Sequence, residues 1–271
     1  MIRGFALALA AFAATSAYAK QTDAPVAPMS ASEQAAVQLA LNRAEQIYAY
    51  DQAAWHTTDT LTADLPKAQL GTIRGWVVTP DDQDYRVTYY SGDAGTAHRA
   101  VYSAVWTGTD VRDRKLHGAD DAELTAEETR LAAASDAVSD DGRLHCANRR
   151  FNRVVLPGDG ADSADLVYLL TPQLETGIVP LGGHHRIEVK DGKILSERTF
   201  SKSCLNLPID GPDGKKTEAL VVSHLLDPTP TEIHAFSVYA ARKPIYVITT
   251  ENDRVWAAAL SGGRLRIRLV K

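Results

Sequence analysis

Five side chains in the C-terminal half of the sequence are candidates for chemistry: His184, His185, His224, Asp227 and His234. An imidazole accepts or donates a proton near neutrality or binds a metal, and a nearby carboxylate orients it or joins it as a ligand. His224 closes the apolar run 218–224, Asp227 follows in a polar loop, and His234 falls in the first turn of the helix expected next. Strand ends that lead into helix N-termini are where α/β units place ligands. If a metal binds, His224 and Asp227 are its expected ligands. His184 and His185 are neighbours at the start of a strand, so they point to opposite faces and at most one joins a given site. Glu188 shares a strand face with Arg186 and Lys190, which predicts a solvated face.

The elements that must position these residues are clearest over 218–260. A buried strand and a polar loop lead to a helix, with Thr229 expected as N-cap, Pro230 at the first helical position and Glu232 at the third. Ile233, Phe236 and Ala240 form the expected buried stripe, and Pro244 marks the end. A second apolar strand follows, and Asn252-Asp253 turns the chain into a third. Strand, helix, strand with short links reads as a crossover unit within a mixed sheet. Upstream, 185–190 and 194–200 flank Asp191-Gly192, a strong hairpin signal because both turn positions tolerate positive φ. At the end of the chain Arg264, Arg266 and Arg268 alternate with Leu265, Ile267 and Leu269, which puts the arginines on one strand face. They read as an anion-binding stripe or as charges guarding a sheet edge.

His224, Asp227, Pro228, the Thr-Pro-Thr-Glu run and the Lys-Pro-Ile-Tyr-Val-Ile strand resemble the core of the JAB/MPN metalloprotease family. In that family a strand leads to a His-x-His pair, a loop and a Ser-x-x-Asp helix start. The two histidines and the aspartate bind zinc, and an upstream glutamate handles the water. The resemblance covers about the last fifty residues. His224 matches the first histidine, the second position is Leu226, and Thr229-x-x-Glu232 stands for Ser-x-x-Asp across a shortened loop. A catalytic zinc needs three protein ligands and an open position. Here Asp227, Glu232, His234 or one of His184 and His185 would have to complete the set. The resemblance implies a zinc-dependent hydrolase acting on peptides or cell-envelope material.

Other enzyme signatures are missing: the sequence has no Gly-x-Ser-x-Gly, His-Glu-x-x-His, Cys-x-x-Cys or Walker loop. Gly158 and Gly160 lie between two strand signals, whereas a phosphate loop leads from a strand into a helix. Of 271 residues, 29 are basic and 34 acidic, a formal charge of -5 that gives no reason to expect nucleic acid. Residues 1–19 read as a signal peptide: Arg3, an apolar run, and Ala17-Tyr18-Ala19 as the cleavage site. Cleavage there predicts a periplasmic or secreted chain with no cysteine for a lipid anchor and no transmembrane segment. In an oxidising compartment Cys146 and Cys204 are expected to pair. The alternative is a reactive thiol with His145 beside Cys146, which needs an electropositive setting.

The rest of the chain reads as α+β. After a flexible lead-in, 20–29, the region 30–118 carries one helix and an antiparallel meander. Ser30 and Glu33 fit a capping box, and Val37, Leu41, Ala44, Tyr48 and Trp55 recur on one face. Tyr50 and Trp55 read as a ligand platform or as the part of the helix that meets a sheet. The strands are 73–79, 85–90 and 97–107, and the acidic run Asp81, Asp82 and Asp84 lacks the pattern of a calcium loop and reads as a turn. A bridging helix, 119–143, capped by Thr125 and Glu128, is the expected boundary before a sheet-rich domain, 144–271, with a mixed sheet. An export signal and two sheet-rich halves without a complete catalytic set predict a protein that binds or scaffolds, with a protein or cell-envelope partner. The competing expectation is the metal-dependent hydrolase centred on His224.

Overall fold

Ser30 and Glu33 close the first helix as the spacing predicts: the Ser30 backbone N–H donates to the Glu33 carboxylate at 2.8 Å, and Glu33 N–H donates to Ser30 Oγ at 3.2 Å. The computed structural model describes residues 27–160, 162–211 and 216–271. Residues 1–19, read from the sequence as a signal peptide, and residues 20–26 of the expected lead-in lie outside them. Helix α1, Ala31–Asp64, runs 34 residues. It buries Val37, Ala40, Ala44, Ile47, Tyr50, Ala53, Ala54, Thr57 and Leu61, and apart from the adjacent pair 53 and 54 the spacings are three and four, which keeps one face inward. Trp55, expected on that face, is instead 58% exposed. It stacks on His56, whose ring stacks in turn on Trp106 with centroids 4.0 Å apart. Tyr50 meets the sheet edge-on through Tyr85.

A short helix, α2 (Lys67–Leu70), leads into an antiparallel meander of β1 (Ile73–Asp81), β2 (Asp84–Ser91), β3 (Arg99–Trp106) and β4 (Val111–Leu116). The last strand is invisible to apolar periodicity because almost every side chain in Val-Arg-Asp-Arg-Lys-Leu is exposed. Ion pairs fasten it instead, Arg112 to Asp84 at 2.9 Å and Arg114 to Asp64. Asp84 thereby leaves the acidic run, Asp81 pairs with Arg86 at 2.6 Å, and Asp82 turns the chain at φ 57°.

Helix α3, Ala126–Asp136, has the expected Thr125–Glu128 box. It is followed by a four-stranded antiparallel sheet in the order β5 (Asn152–Leu156), β6 (Asp165–Leu170), β8 (His185–Lys190), β9 (Lys193–Thr199). Between them β7 (Ile178–Pro180) pairs with β10 (Asn206–Pro208), a small ribbon too short to leave a periodic signal. The final sheet is mixed. Its order is β11 (Leu220–His224), β12 (Ile245–Thr249), β13 (Arg254–Ser261), β14 (Arg264–Leu269), with β11 and β12 parallel around α4 (Glu232–Ala241). The architecture is therefore α+β, with a meander first and a mixed sheet last. Arg264, Arg266 and Arg268 lie exposed on the edge strand β14 while Leu265 and Ile267 are buried.

Three apolar clusters hold these layers. One joins Ile47, Tyr50 and Leu61 to Val87 and Tyr102 and continues to Val154, Tyr168 and Ile233. A second packs Val37 and Ala44 on Val222, Val238, Val247 and Trp256. A third sets Leu131 and Ala132 of α3 between Val77 and Tyr90 on one side and Val155, Val167 and Ile187 on the other. α1 therefore serves the final sheet with its first turns and the meander with its later ones. The clusters run across residues 119–143 rather than stopping there.

Cys146 and Cys204 form a disulfide, with Cα atoms 5.3 Å apart and a sequence separation of 58. It ties the approach to β5 to the segment after β9, and Gly183 packs so tightly beneath it that a Cβ there would meet Cys146 Sγ at 2.5 Å. A loop of this length stabilises by about 4 kcal/mol on the chain-entropy account. Replacing both cysteines by serine is expected to lower the unfolding free energy by roughly that amount, measured by guanidinium denaturation with the slope fitted separately for each protein, since the unbridged unfolded chain is more expanded.

Candidate functional site

The β8–β9 hairpin sets the geometry of the site. Asp191 and Gly192 both take positive φ, 50° and 69°, as the tight turn requires. The register places Arg186 opposite Arg198, and His185 opposite Thr199, with Ile187 opposite Glu197. Directly opposed residues share a face, so the two arginines project from one side and His185, Thr199 and Glu197 from the other. On the arginine face Glu188, expected to be solvated, is 32% exposed, whereas Arg186 beside it is only 12% exposed and faces the start of α4.

There Arg186 Nη1 donates to Glu232 Oε1 at 2.7 Å, the Tyr168 hydroxyl donates to the same oxygen at 3.0 Å, and Arg43 of α1 lies 3.6 Å away. Burial and then the Glu232 charge push the Tyr168 pKa up. Burial opposes the Arg186 charge, but Glu232 and Tyr168 outweigh it and raise its pKa. Glu232 is thus an internal anchor and not the helix cap its spacing predicted. The N-cap is Thr231, two residues later than expected, and His234 supplies the third-position side chain. His234 Nδ1 accepts the Thr231 backbone N–H at 3.0 Å. The buried stripe is also revised. Ile233, Ala235, Ser237, Val238 and Ala241 are buried and Ala240 is exposed, because α4 is enclosed by α1 on one side and the mixed sheet on the other.

His224, at the end of β11, donates through Nε2 to Asp227 Oδ2 at 2.7 Å, and Arg198 donates to the same oxygen. Arg198 also lies over the Phe200 ring, 4.7 Å from its centroid. Burial raises the Asp227 pKa, but the His224 hydrogen bond and the Arg198 charge prevail and hold it below the ordinary carboxylate value. The rings of His224 and His234 meet edge to face at 4.6 Å. Burial, then the nearby His224, lowers the His234 pKa to about 3.

His184 accepts the Thr171 N–H at Nδ1 and donates from Nε2 to the Pro180 carbonyl, both at 3.1 Å. Burial lowers its pKa to about 4, partly offset by the Pro180 bond. His185 turns the other way, as adjacency predicts, donating from Nε2 to the Leu144 carbonyl at 3.0 Å. The structure therefore brings His224, Asp227 and His234 together and separates His185 from them. Arg198, Arg186 and Arg43 were not singled out by sequence reasoning. The Asp-Gly hairpin register, which sets Arg186 against Arg198, was the available signal for two of them.

A zinc ion does not fit this donor set. His224 Nε2 and Asp227 Oδ2 are bonded to each other, and His234 Nδ1 caps its helix. Among the described residues no three His, Cys, Asp or Glu side chains converge as metal ligands. Comparison with protein-family models, curated proteins and solved structures finds no match.

The burial of His184 and His234 as neutral rings has a measurable sign. Their folded pKa values lie below the usual 6.5, so the unfolded chain binds more protons between about pH 3 and 6.5. The low Asp227 pKa acts in the same direction. Stability is complete above about pH 6.5 and is expected to fall steadily towards pH 4. The histidine part amounts to on the order of 3 kcal/mol per ring, read from denaturant midpoints across that range. A pH-independent midpoint would contradict the neutral burial of these rings.

Proposed function

We propose that this chain is an exported, disulfide-containing protein of the cell envelope that binds or scaffolds rather than catalyses. One observation carries the reading: the groups that converge on His224 are engaged with one another. Asp227 is neutralised by Arg198 and bonded to His224, His234 is held neutral inside a helix start, and His184 uses both ring nitrogens. A catalytic zinc needs three protein ligands and an open position, and among the described residues no three His, Cys, Asp or Glu side chains converge here. The disulfide is compatible with an oxidising compartment. No helix among the described residues is long and apolar enough to cross a membrane. Two edge strands support a macromolecular partner. β9 exposes Ile194 and Leu195, and β11 exposes Val221 at 59% with Leu225 just beyond it. Exposed apolar residues along a free strand edge favour pairing with another chain.

The test is metal analysis of the purified chain with His224→Ala as control, alongside assays for chelator-sensitive hydrolysis of peptides and envelope polymers. The reading expects no stoichiometric zinc and no chelator-sensitive turnover, with His224→Ala lowering stability only. Stoichiometric zinc that disappears in His224→Ala would overturn it in favour of a metal-dependent hydrolase.

A further inference from the structure

The opposite face of the β8–β9 hairpin borders an open groove of 480 Å³. Its polar lining is Arg143, His185, Glu197, Thr199, Ser201 and Lys202. Among the described residues four buried side-chain nitrogens have no hydrogen-bond partner, and two of them, Arg143 Nε and His185 Nδ1, belong to this lining. A buried polar atom without a partner is costly, which makes their coincidence at one groove informative. His185 spends its Nε2–H on the Leu144 carbonyl, so in the neutral ring Nδ1 is an acceptor in need of a donor. Arg143, with a side chain only 10% exposed, needs an acceptor for its Nε–H. Lys202 is exposed and makes no ion pair among the described residues. Ser201 Oγ accepts the Gly183 N–H at 2.9 Å, which leaves its own O–H free to donate.

We propose that this groove binds a small carboxylate that carries neighbouring hydroxyls, the chemistry of an acidic sugar unit. Arg143 already holds a carboxylate here, that of Glu197 at 2.7 Å. Glu197 is itself half exposed, so an incoming carboxylate takes its place on Arg143 with Lys202 and the Ser201 hydroxyl at the open side. Glu197 lies on the same strand face as His185, and once it swings off Arg143 a ligand hydroxyl can supply the donor that the buried His185 Nδ1 lacks. A monoanion suits the site better than a dianion because the displaced Glu197 charge remains beside it. The Cys146–Cys204 bridge fixes both walls, since each cysteine lies two positions beyond a lining segment, after Leu144 and after Lys202.

The inference rests on the non-catalytic binding reading and is tested separately from it. Calorimetric titration of the oxidised full-length chain with D-glucuronate is expected to show saturable binding. Acetate and glucose, which each offer half of the recognition, should bind more weakly, as should inorganic phosphate. Lys202→Ala is expected to weaken glucuronate binding by about threefold, the effect of one exposed ion pair, and Glu197→Gln to strengthen it by a similar factor. Both residues are exposed enough that folding is retained, which thermal melts verify. Absence of saturable glucuronate binding in both wild type and Glu197→Gln would overturn the proposal. So would tighter binding of phosphate, equal binding of glucose or acetate, or indifference to both substitutions. None of these results introduces a metal or hydrolysis, so the scaffold reading stands or falls on its own assay.

Discussion

One buried carboxylate, Glu232, is the constraint on which the arrangement of the C-terminal half depends. It receives Arg186 and Tyr168 from the second sheet and faces Arg43 of α1, while its own backbone begins α4. Removing a carboxylate from water is expensive, and the cost is offset only if its partners arrive with good geometry. Apolar contacts among Val, Leu and Ala tolerate sliding by a fraction of a side chain. A charge that must meet two donors at hydrogen-bond distance does not. The junction therefore acts mainly on placement: it sets where α4 starts, how the β8–β9 hairpin lies against it, and where α1 crosses both.

From that placement the two polar regions follow as opposite faces of one hairpin. With Arg186 held by Glu232, its cross-strand neighbour Arg198 falls beside the loop after β11 and neutralises Asp227, which in turn holds His224. The histidine corner is thus a continuation of the anchor, with Arg198, Asp227 and His224 bonded in series. The other face carries His185, Thr199 and Glu197 towards the groove, where two buried nitrogens are left over. An ion-paired carboxylate without a third metal ligand on one side, and two unpartnered buried nitrogens on the other, direct the functional reading away from His224 and towards ligand binding.

Local signals in the sequence were read correctly where one short-range interaction decides the outcome. The Ser30–Glu33 and Thr125–Glu128 boxes, the Asp191-Gly192 turn, the Cys146–Cys204 pair and the β11–α4–β12 unit all belong to this kind. The errors arose where a long-range partner competed. Thr229-x-x-Glu232 has the spacing of a helix cap, but Arg186, 46 positions away, claims the glutamate and the cap shifts to Thr231. β4 has no apolar alternation because charged partners at Asp64 and Asp84 hold it. Trp55 fits the helical stripe by spacing, yet it lies exposed and stacks on the ring of His56, which itself stacks on Trp106. For the candidate site, the association of His224, Asp227 and His234 was legible from their closeness in sequence. The arginine that neutralises Asp227 was not.

The most direct test of the Glu232 junction is a double-mutant cycle on Glu232→Gln and Arg186→Met, with unfolding free energies measured in denaturant at pH 7. Because buried ion pairs and apolar replacements differ little in net stability, the coupling term and not either single change carries the information. A directional junction predicts a coupling of about 1.5 kcal/mol or more. Additivity to within about 0.5 kcal/mol would mean that Arg186 and Glu232 do not depend on one another, and would contradict this account of the fold.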